Sequence, residues 1–154
     1  MRQTADILLT IRMIFKFYEN CLEDVRKQYH LSGMELKIIS FLHNNPGKNT
    51  VGDIAEQRML SKGNVSRGVD SLIQKGLLCR VPDPRDRRWL RLHLEAAADP
   101  IIQAIEEAGE NFSVQMLQDF SPEEIAVYEG FNQRLTQNIQ QHLRRSNCHE
   151  QEQR

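Results

Sequence analysis

The stretch Asp83-Pro84-Arg85-Asp86-Arg87-Arg88 places three arginines and two aspartates within six residues, and Arg91 follows close behind. A guanidinium binds carboxylate or phosphate oxygens through paired N–H donors, so such a cluster is suited to holding a polyanion. The aspartates look misplaced for that task. They make sense if one of them orients an arginine, because an Asp two residues before an Arg can hold the guanidinium in one geometry and lower its ordering cost on binding. Between Arg58 and His93, nine Lys or Arg stand against three acids, a sum of +6, while the whole chain carries −1 and the remainder therefore −7. A basic middle between acidic flanks is a footprint for a polyanion. A solvated charged face is the alternative reading of the charge alone.

The remaining chemistry is sparse. Asp83, Asp86 and His93 are the candidate acid–base groups, but neither a nucleophile–base pair nor a phosphate-cradling glycine loop accompanies them, so an enzyme is not expected. His30, His43, His93, His142 and His149 lack two-ligand helical spacing, and neither a metal nor any other cofactor is implied. Cys21, Cys79 and Cys148 are odd in number and far apart, which fits a reducing, cytoplasmic compartment rather than a disulfide framework. Cys21, well along the first helix, reads as a buried inert thiol, and Cys79 sits in the first wing strand.

The elements that must position the arginines can be read from period and punctuation. With 154 residues, 40% hydrophobic and 27% charged, the chain has ordinary globular composition and is most simply one domain. No apolar run approaches the ~20 residues of a membrane span, and Asp6, Arg12, Lys16 and Glu19 interrupt the apolar amino terminus, so neither a membrane partner nor a signal peptide is expected. Apolar residues at steps of three and four predict a long amphipathic helix over residues 5 to 29. A second helix starts at the Ser32…Glu35 capping box and stops at Pro46-Gly47. Thr50 and Ser61 can cap a short third and a fourth helix, with Gly76 just past the end of the latter. "LLCRV" and "WLRLHL" read as two strands of a hairpin whose Asp/Pro/Arg loop projects from the body. Ile101 to Phe120 mark another helix. Ser121-Pro122-Glu123-Glu124 starts the last one, which leads to a polar tail over 146–154 expected to fray.

The third and fourth helices make a helix-turn-helix, whose second helix enters the major groove of duplex DNA. Winding the fourth helix gathers Val65, Val69, Leu72 and Ile73 on one side. Gly63, Asn64, Arg67 and Ser71 fall opposite, with Ser66 at the edge. Small residues allow close approach to the groove, and Asn and Arg can each pair with a base through two hydrogen bonds. Free N–H groups after Ser61 suit a phosphate oxygen, with Lys62 beside them. The arginine loop is of a size to reach a neighbouring minor groove.

The run from Thr50 to Leu94 resembles the DNA-binding lobe of the multiple-antibiotic-resistance regulator (MarR) family of bacterial transcription factors. The resemblance rests on the spacing of Ile54-Ala55, on Val65-Ser66 and Leu72 through Gly76-Leu77, and on a wing in which Asp83, Arg85, Asp86 and Arg88 match the pattern D-x-R-D-x-R. It implies a mainly α fold with a β-hairpin wing. The winged helix-turn-helix lobe would span 31–94, flanked by dimerisation helices over 1–30 and 95–145. It further implies a cytoplasmic homodimer, usually a repressor, on a pseudo-palindromic DNA site. Carried over, Arg88 is the minor-groove arginine and Asp86 its partner, Arg85 and Arg87 lie near backbone contacts, and Ser61, Gly63, Asn64, Ser66 and Arg67 face the major groove. Arg91, on the strand, reads as a phosphate contact or a solvated charge. Many members release DNA on binding a small aromatic or phenolic molecule. The matching junction here would involve Met13, Phe17, Tyr18, Met34 and Ile38, which also fit an ordinary core. A winged-helix protein–protein module without DNA binding is the alternative, and the arginine wing weighs against it. The chain departs from the family after the wing: Glu95 stands where the family has a capping Thr, and Pro100 falls in the first turns of the next helix, leaving that helix's start open.

Overall fold

A computed structural model describes the backbone of residues 2–151 and the side chains of 4–143. Its order is α1 (Arg2–Cys21), α2 (Glu23–Gln28), α3 (Gly33–Asn44), α4 (Val51–Gln57), α5 (Lys62–Gln74), β1 (Leu78–Pro82), β2 (Leu90–Leu94), a 3-10 turn (Ala96–Ala98), α6 (Asp99–Met116) and α7 (Pro122–Gln151). This is the mainly helical winged-helix architecture that the sequence predicts. By contacts the chain divides into two compact units, Met1–Ser113 and Val114–Arg154.

The helix starts are set by local side chains. Ser32 and Glu35 form a reciprocal capping box, as do Thr50 and Asp53, and Ser61 accepts from the Asn64 N–H. The stops are set by left-handed residues: His30, Met59, Gly47 and Gly76 all have positive φ. Gly76, at φ +69°, lets the chain leave α5 and enter β1 at no side-chain cost.

The single helix predicted over 5–29 is interrupted at Leu22. The interruption is shallow, because Leu22 stays in the αR region and the hydrogen bonds Leu22 N–H to Tyr18 O and Arg26 N–H to Leu22 O run across it. The start of α6, left open by the sequence, is a 3-10 turn. Glu95 supplies no side-chain cap, and Pro100 sits at the second residue of the helix, where a missing N–H costs nothing.

In the first unit α3, α4 and α5 close around Ile38, Ile39, Phe41, Ile54, Val65, Val69 and Leu72. All are essentially buried, and each contributes about 1.5–3 kcal/mol by leaving water. The hairpin joins this core through Leu78 and Leu92. Its register pairs Leu78 with Leu94 and Pro82 with Leu90. Aromatic contacts of Phe17 and Tyr18 with Phe112, each at 5.3 Å, hold α1 to α6. Ile7, Leu8, Leu9, Ile11, Met13 and Phe15 of α1 remain exposed.

In the second unit α7 starts at Ser121, whose hydroxyl accepts from the Glu124 N–H while Glu124 accepts from the Ser121 N–H. Tyr128, Phe131, Leu135, Ile139 and Leu143 form an exposed stripe at helical spacing. The helix continues to Gln151, past residue 146 where the polar tail was expected to begin. The side chains of Cys148 and His149 lie outside the described residues. Among the described residues no helix is long and apolar enough to cross a membrane.

Candidate nucleic-acid interface

The helix α5 presents its candidate residues at its amino-terminal half, as its period requires. Ser61, Lys62, Gly63, Asn64 and Arg67 are exposed and Ser66 is half-buried at the edge, while Val65, Val69 and Leu72 point into the core. Ser61 is engaged as the helix cap, so its hydroxyl serves the Asn64 N–H rather than standing free. The Arg67 guanidinium donates to Asn64 Oδ1, which joins the two candidate base readers into one unit on the surface. Open space surrounds the Cα of Gly63.

Ser71 was expected on the same exposed face and is not available there. Its hydroxyl donates to Glu35 Oε1 at 2.8 Å. Glu35 is 3% exposed and sits against α5 from the start of α3. Burial raises the pKa of this carboxyl, but Lys75, the Ser32 N–H and the Ser71 hydroxyl outweigh it and hold the pKa below the ordinary glutamate value.

The wing loop is closed by two main-chain bonds, Asp83 N–H to Trp89 O and Trp89 N–H to Asp86 O. At its tip the Arg88 guanidinium donates through Nε and Nη2 to both oxygens of Asp86, the closest contact being 2.8 Å, and the Arg88 side chain is 88% exposed. The Arg88 side chain, assisted by the Arg88 N–H, holds the Asp86 carboxyl below its usual range. The arginine is thus charged, exposed and oriented, as the i, i+2 spacing predicts. Arg85 and Arg87 form no ion pair among the described residues and are exposed.

Asp83 does a different task. It is almost buried, accepts from the main-chain N–H of Arg85 at 2.7 Å, and accepts from Arg91 Nε at 2.7 Å. The Arg85 N–H first, then Arg91, pull its pKa down. Arg91 also donates to Asn49 Oδ1, and the Leu92 N–H donates to Asn49 O. The reading of Arg91 as a phosphate contact or solvated charge is therefore corrected: it is a brace between the wing root and the loop before α4. Asn49 was missed by sequence reasoning, since nothing local marks a partner 42 residues away. The same pairing thins the free charge, because Arg80 binds Asp70 and Lys75 binds Glu35. Within the basic stretch the exposed cations outside these pairs are Arg58, over the Phe41 ring, and those at the start of α5 and at the wing tip.

The five residues expected at an effector junction are not gathered into one cavity. Met13 is exposed, Phe17 packs on Phe112, Ile38 is fully buried, and Met34 lies beside α5. Only Tyr18 lines the cleft of about 160 Å³ between α1, α3 and α6, with Ile39, His43, Ile102, Ile105 and Glu106 among its neighbours. His43 Nε2 lies 2.8 Å from Glu106 Oε1 at its edge. Cys21 and Cys79 are partly buried, and a hydrogen bond to Glu95 raises the pKa of the Cys79 thiol, which disfavours the reactive thiolate.

Comparison with known proteins gives a consistent picture. Residues 30–88 match the model of the MarR family. The chain is 26% identical over 129 residues to YsmB, an uncharacterized HTH-type transcriptional regulator of Bacillus subtilis (strain 168), covering 84% of this chain and 88% of the relative. It is 34% identical over 103 residues to YfiV, another uncharacterized regulator of that type from the same organism, covering 66% of this chain and 64% of the relative. Among solved structures, a MarR family protein from Bacillus stearothermophilus superposes with a TM-score of 0.75 at 24% identity, covering 90% of this chain and 96% of that one. The matched segment contains every candidate reading residue of α5 and the whole arginine loop.

Proposed function

We propose, from the premise that this chain belongs to the MarR family of DNA-binding transcriptional regulators, that it acts as a cytoplasmic homodimeric repressor on a pseudo-palindromic operator. In this reading α5 enters the major groove, with Asn64 and Arg67 on base edges, Ser61, Lys62, Gly63 and Ser66 at close approach, and the wing in the adjacent minor groove. The observation that carries it is the Asp86–Arg88 fork. An exposed guanidinium already held in one geometry is what a narrow, strongly negative minor groove attracts, and little ordering remains to be done on binding. Arg85 and Arg87, without ion pairs among the described residues, supply the surrounding phosphate attraction.

The homodimer is supported by the exposed apolar residues of α1 and the stripe of α7, which a monomer would leave in water. Release by a small aromatic or phenolic effector would use the cleft of about 160 Å³ beside Tyr18 and His43, which takes only Tyr18 from the five residues expected from sequence. A cavity of about 150 Å³ holds one benzene ring, so a single-ring molecule is the size that fits.

The test is selection of bound sequences from a random duplex pool, with wild type and Arg88→Ala in parallel. A palindromic site with half-sites about one helical turn apart is expected, with Arg88→Ala enriching it weakly. No enrichment by a folded wild-type protein would favour a protein–protein module instead.

A further inference from the structure

The buried carboxylate of Glu35 does more than cap its own helix. Its Oε2 accepts from the Ser32 N–H at 2.6 Å, which is the capping box. The same carboxylate reaches across to α5, where Ser71 Oγ donates to it at 2.8 Å and Lys75 Nζ lies 2.8 Å from Oε1. Lys75 Nζ also donates to His30 O at 2.8 Å, tying the end of α5 to the turn before α3. A charge 3% exposed would be costly without these partners. With all of them in place it is a satisfied network that permits one relative arrangement of the two helices.

The position of the partners along α5 gives the network its consequence. Asn64, Gly68, Ser71 and Lys75 follow at steps of four, three and four and so share one stripe. The lower half of the stripe is locked to α3. The upper half carries Asn64, with Arg67 bonded to it. Gly68, between the two halves, lies so close to α3 that a Cβ there would meet Ile38 Cδ1 at 2.6 Å. That contact limits approach but not rotation, because a glycine has no side chain to engage. Rotation about the axis of α5 is limited by the buried Val65, Val69 and Leu72 on the core side and, on the stripe facing α3, by the polar links of Ser71 and Lys75.

We propose that Glu35 is a positioning residue for DNA reading: through Ser71 and Lys75 it fixes the rotation of α5 and hence where Asn64 and Arg67 point. A turn of about 10° moves a side-chain tip about 6 Å from the axis by about 1 Å. Paired hydrogen bonds to a base edge do not survive such a displacement, whereas contacts to phosphates, which are long-ranged, do. Glu35 therefore governs sequence discrimination and not general affinity.

This rests on the reading of the chain as a sequence-specific DNA binder. The experiment measures the affinity of the selected operator and of random duplex, by anisotropy of labelled DNA, for wild type, Ser71→Ala, Ser71→Thr and Glu35→Gln, together with each variant's thermal midpoint. Ser71→Ala removes one link and leaves the capping box intact. Expected is a fall in the operator-to-random ratio on the order of tenfold for Ser71→Ala and Glu35→Gln, with random-duplex affinity unchanged. Ser71→Thr, which keeps the hydroxyl, restores the ratio. A wild-type ratio well above one that Ser71→Ala and Glu35→Gln leave unchanged, whatever their midpoints do, overturns the inference alone. A wild-type ratio of one overturns it together with the function it rests on.

Discussion

Two glycines of α5 predict opposite outcomes for one and the same substitution. Gly68 faces α3, and an added Cβ would meet Ile38 Cδ1 at 2.6 Å and Met34 Cγ at 2.9 Å. Ile38 is fully buried and cannot swing clear, and Met34 Cγ is a mid-chain atom rather than a flexible end. Gly63 faces open space. Replacing a helical glycine by alanine gains about 1 kcal/mol from helix propensity, while overpacking a core contact costs about 1–3 kcal/mol. Gly68→Ala should therefore be destabilising by a net of about 0–2 kcal/mol. Gly63→Ala should be stabilising by about 0.4–1 kcal/mol. For a chain of this length each kcal/mol is about 2–4 °C in Tm, so the two variants should separate measurably in thermal or urea unfolding. Function should reverse the order at Gly63: the more stable variant binds operator less well, because its methyl stands between α5 and the groove. Gly68→Ala matching Gly63→Ala in stability would refute the close approach of α5 and α3. Gly63→Ala binding as wild type would remove that position from the interface.

Removing the acid at the wing tip tests orientation against charge. Asp86→Ala adds net positive charge, so a purely Coulombic wing would bind DNA more tightly; the fork in which Asp86 holds Arg88 predicts weaker operator binding instead, read by titration at fixed salt. Glu35 has its folded pKa below the unfolded value, so its contribution to stability is fully present above the unfolded pKa and is lost as pH falls through the folded one. The difference in unfolding free energy between wild type and Glu35→Gln should accordingly shrink on acidification below about pH 4–5, and a difference independent of pH would mean that Lys75, Ser32 and Ser71 together do no more than offset the burial of the carboxylate. Phe131→Glu, in the middle of the exposed stripe of α7, should convert a dimer to monomer in sedimentation velocity; an unchanged sedimentation coefficient would move the interface elsewhere.

What the sequence reveals divides by distance along the chain. The caps at Ser32, Thr50, Ser61 and Ser121 are legible because donor and acceptor lie three residues apart and no other part of the molecule is needed. The Asp86–Arg88 fork is legible for the same reason. Leu92 shows by alternation that one face of its strand is buried. The interactions that were missed join residues far apart. Ser71, given the period of α5 alone, falls on the exposed side, and only the docking of α3 turns that position into a contact with a carboxylate 36 residues earlier. Arg91 looks like one more cation of the cluster until Asn49, brought in from before α4, braces it with Asp83. Gly68 gives no periodic signal at all, since helical period marks where apolar side chains recur and not where their absence is needed.

The division has a physical consequence for how the wing and the reading helix are tuned. In the proposed reading the exposed cations Lys62, Arg67, Arg85, Arg87 and Arg88 supply the electrostatic attraction, and they are visible in composition. The groups that aim them, Glu35, Ser71, Lys75, Asp83, Asp86, Arg91 and Asn49, include three acids that composition alone would count against polyanion binding. Each acid is instead spent on a guanidinium, an ammonium or a main-chain N–H of the same lobe. Their negative charge is neutralised locally and weakens the long-range field little, while their hydrogen bonds fix geometry at short range. In the proposed reading attraction and aim are borne largely by different residues: loss of Arg85 or Arg87 should lower affinity on every sequence, whereas loss of the base reader Arg67 or of an aiming residue should lower the preference for one.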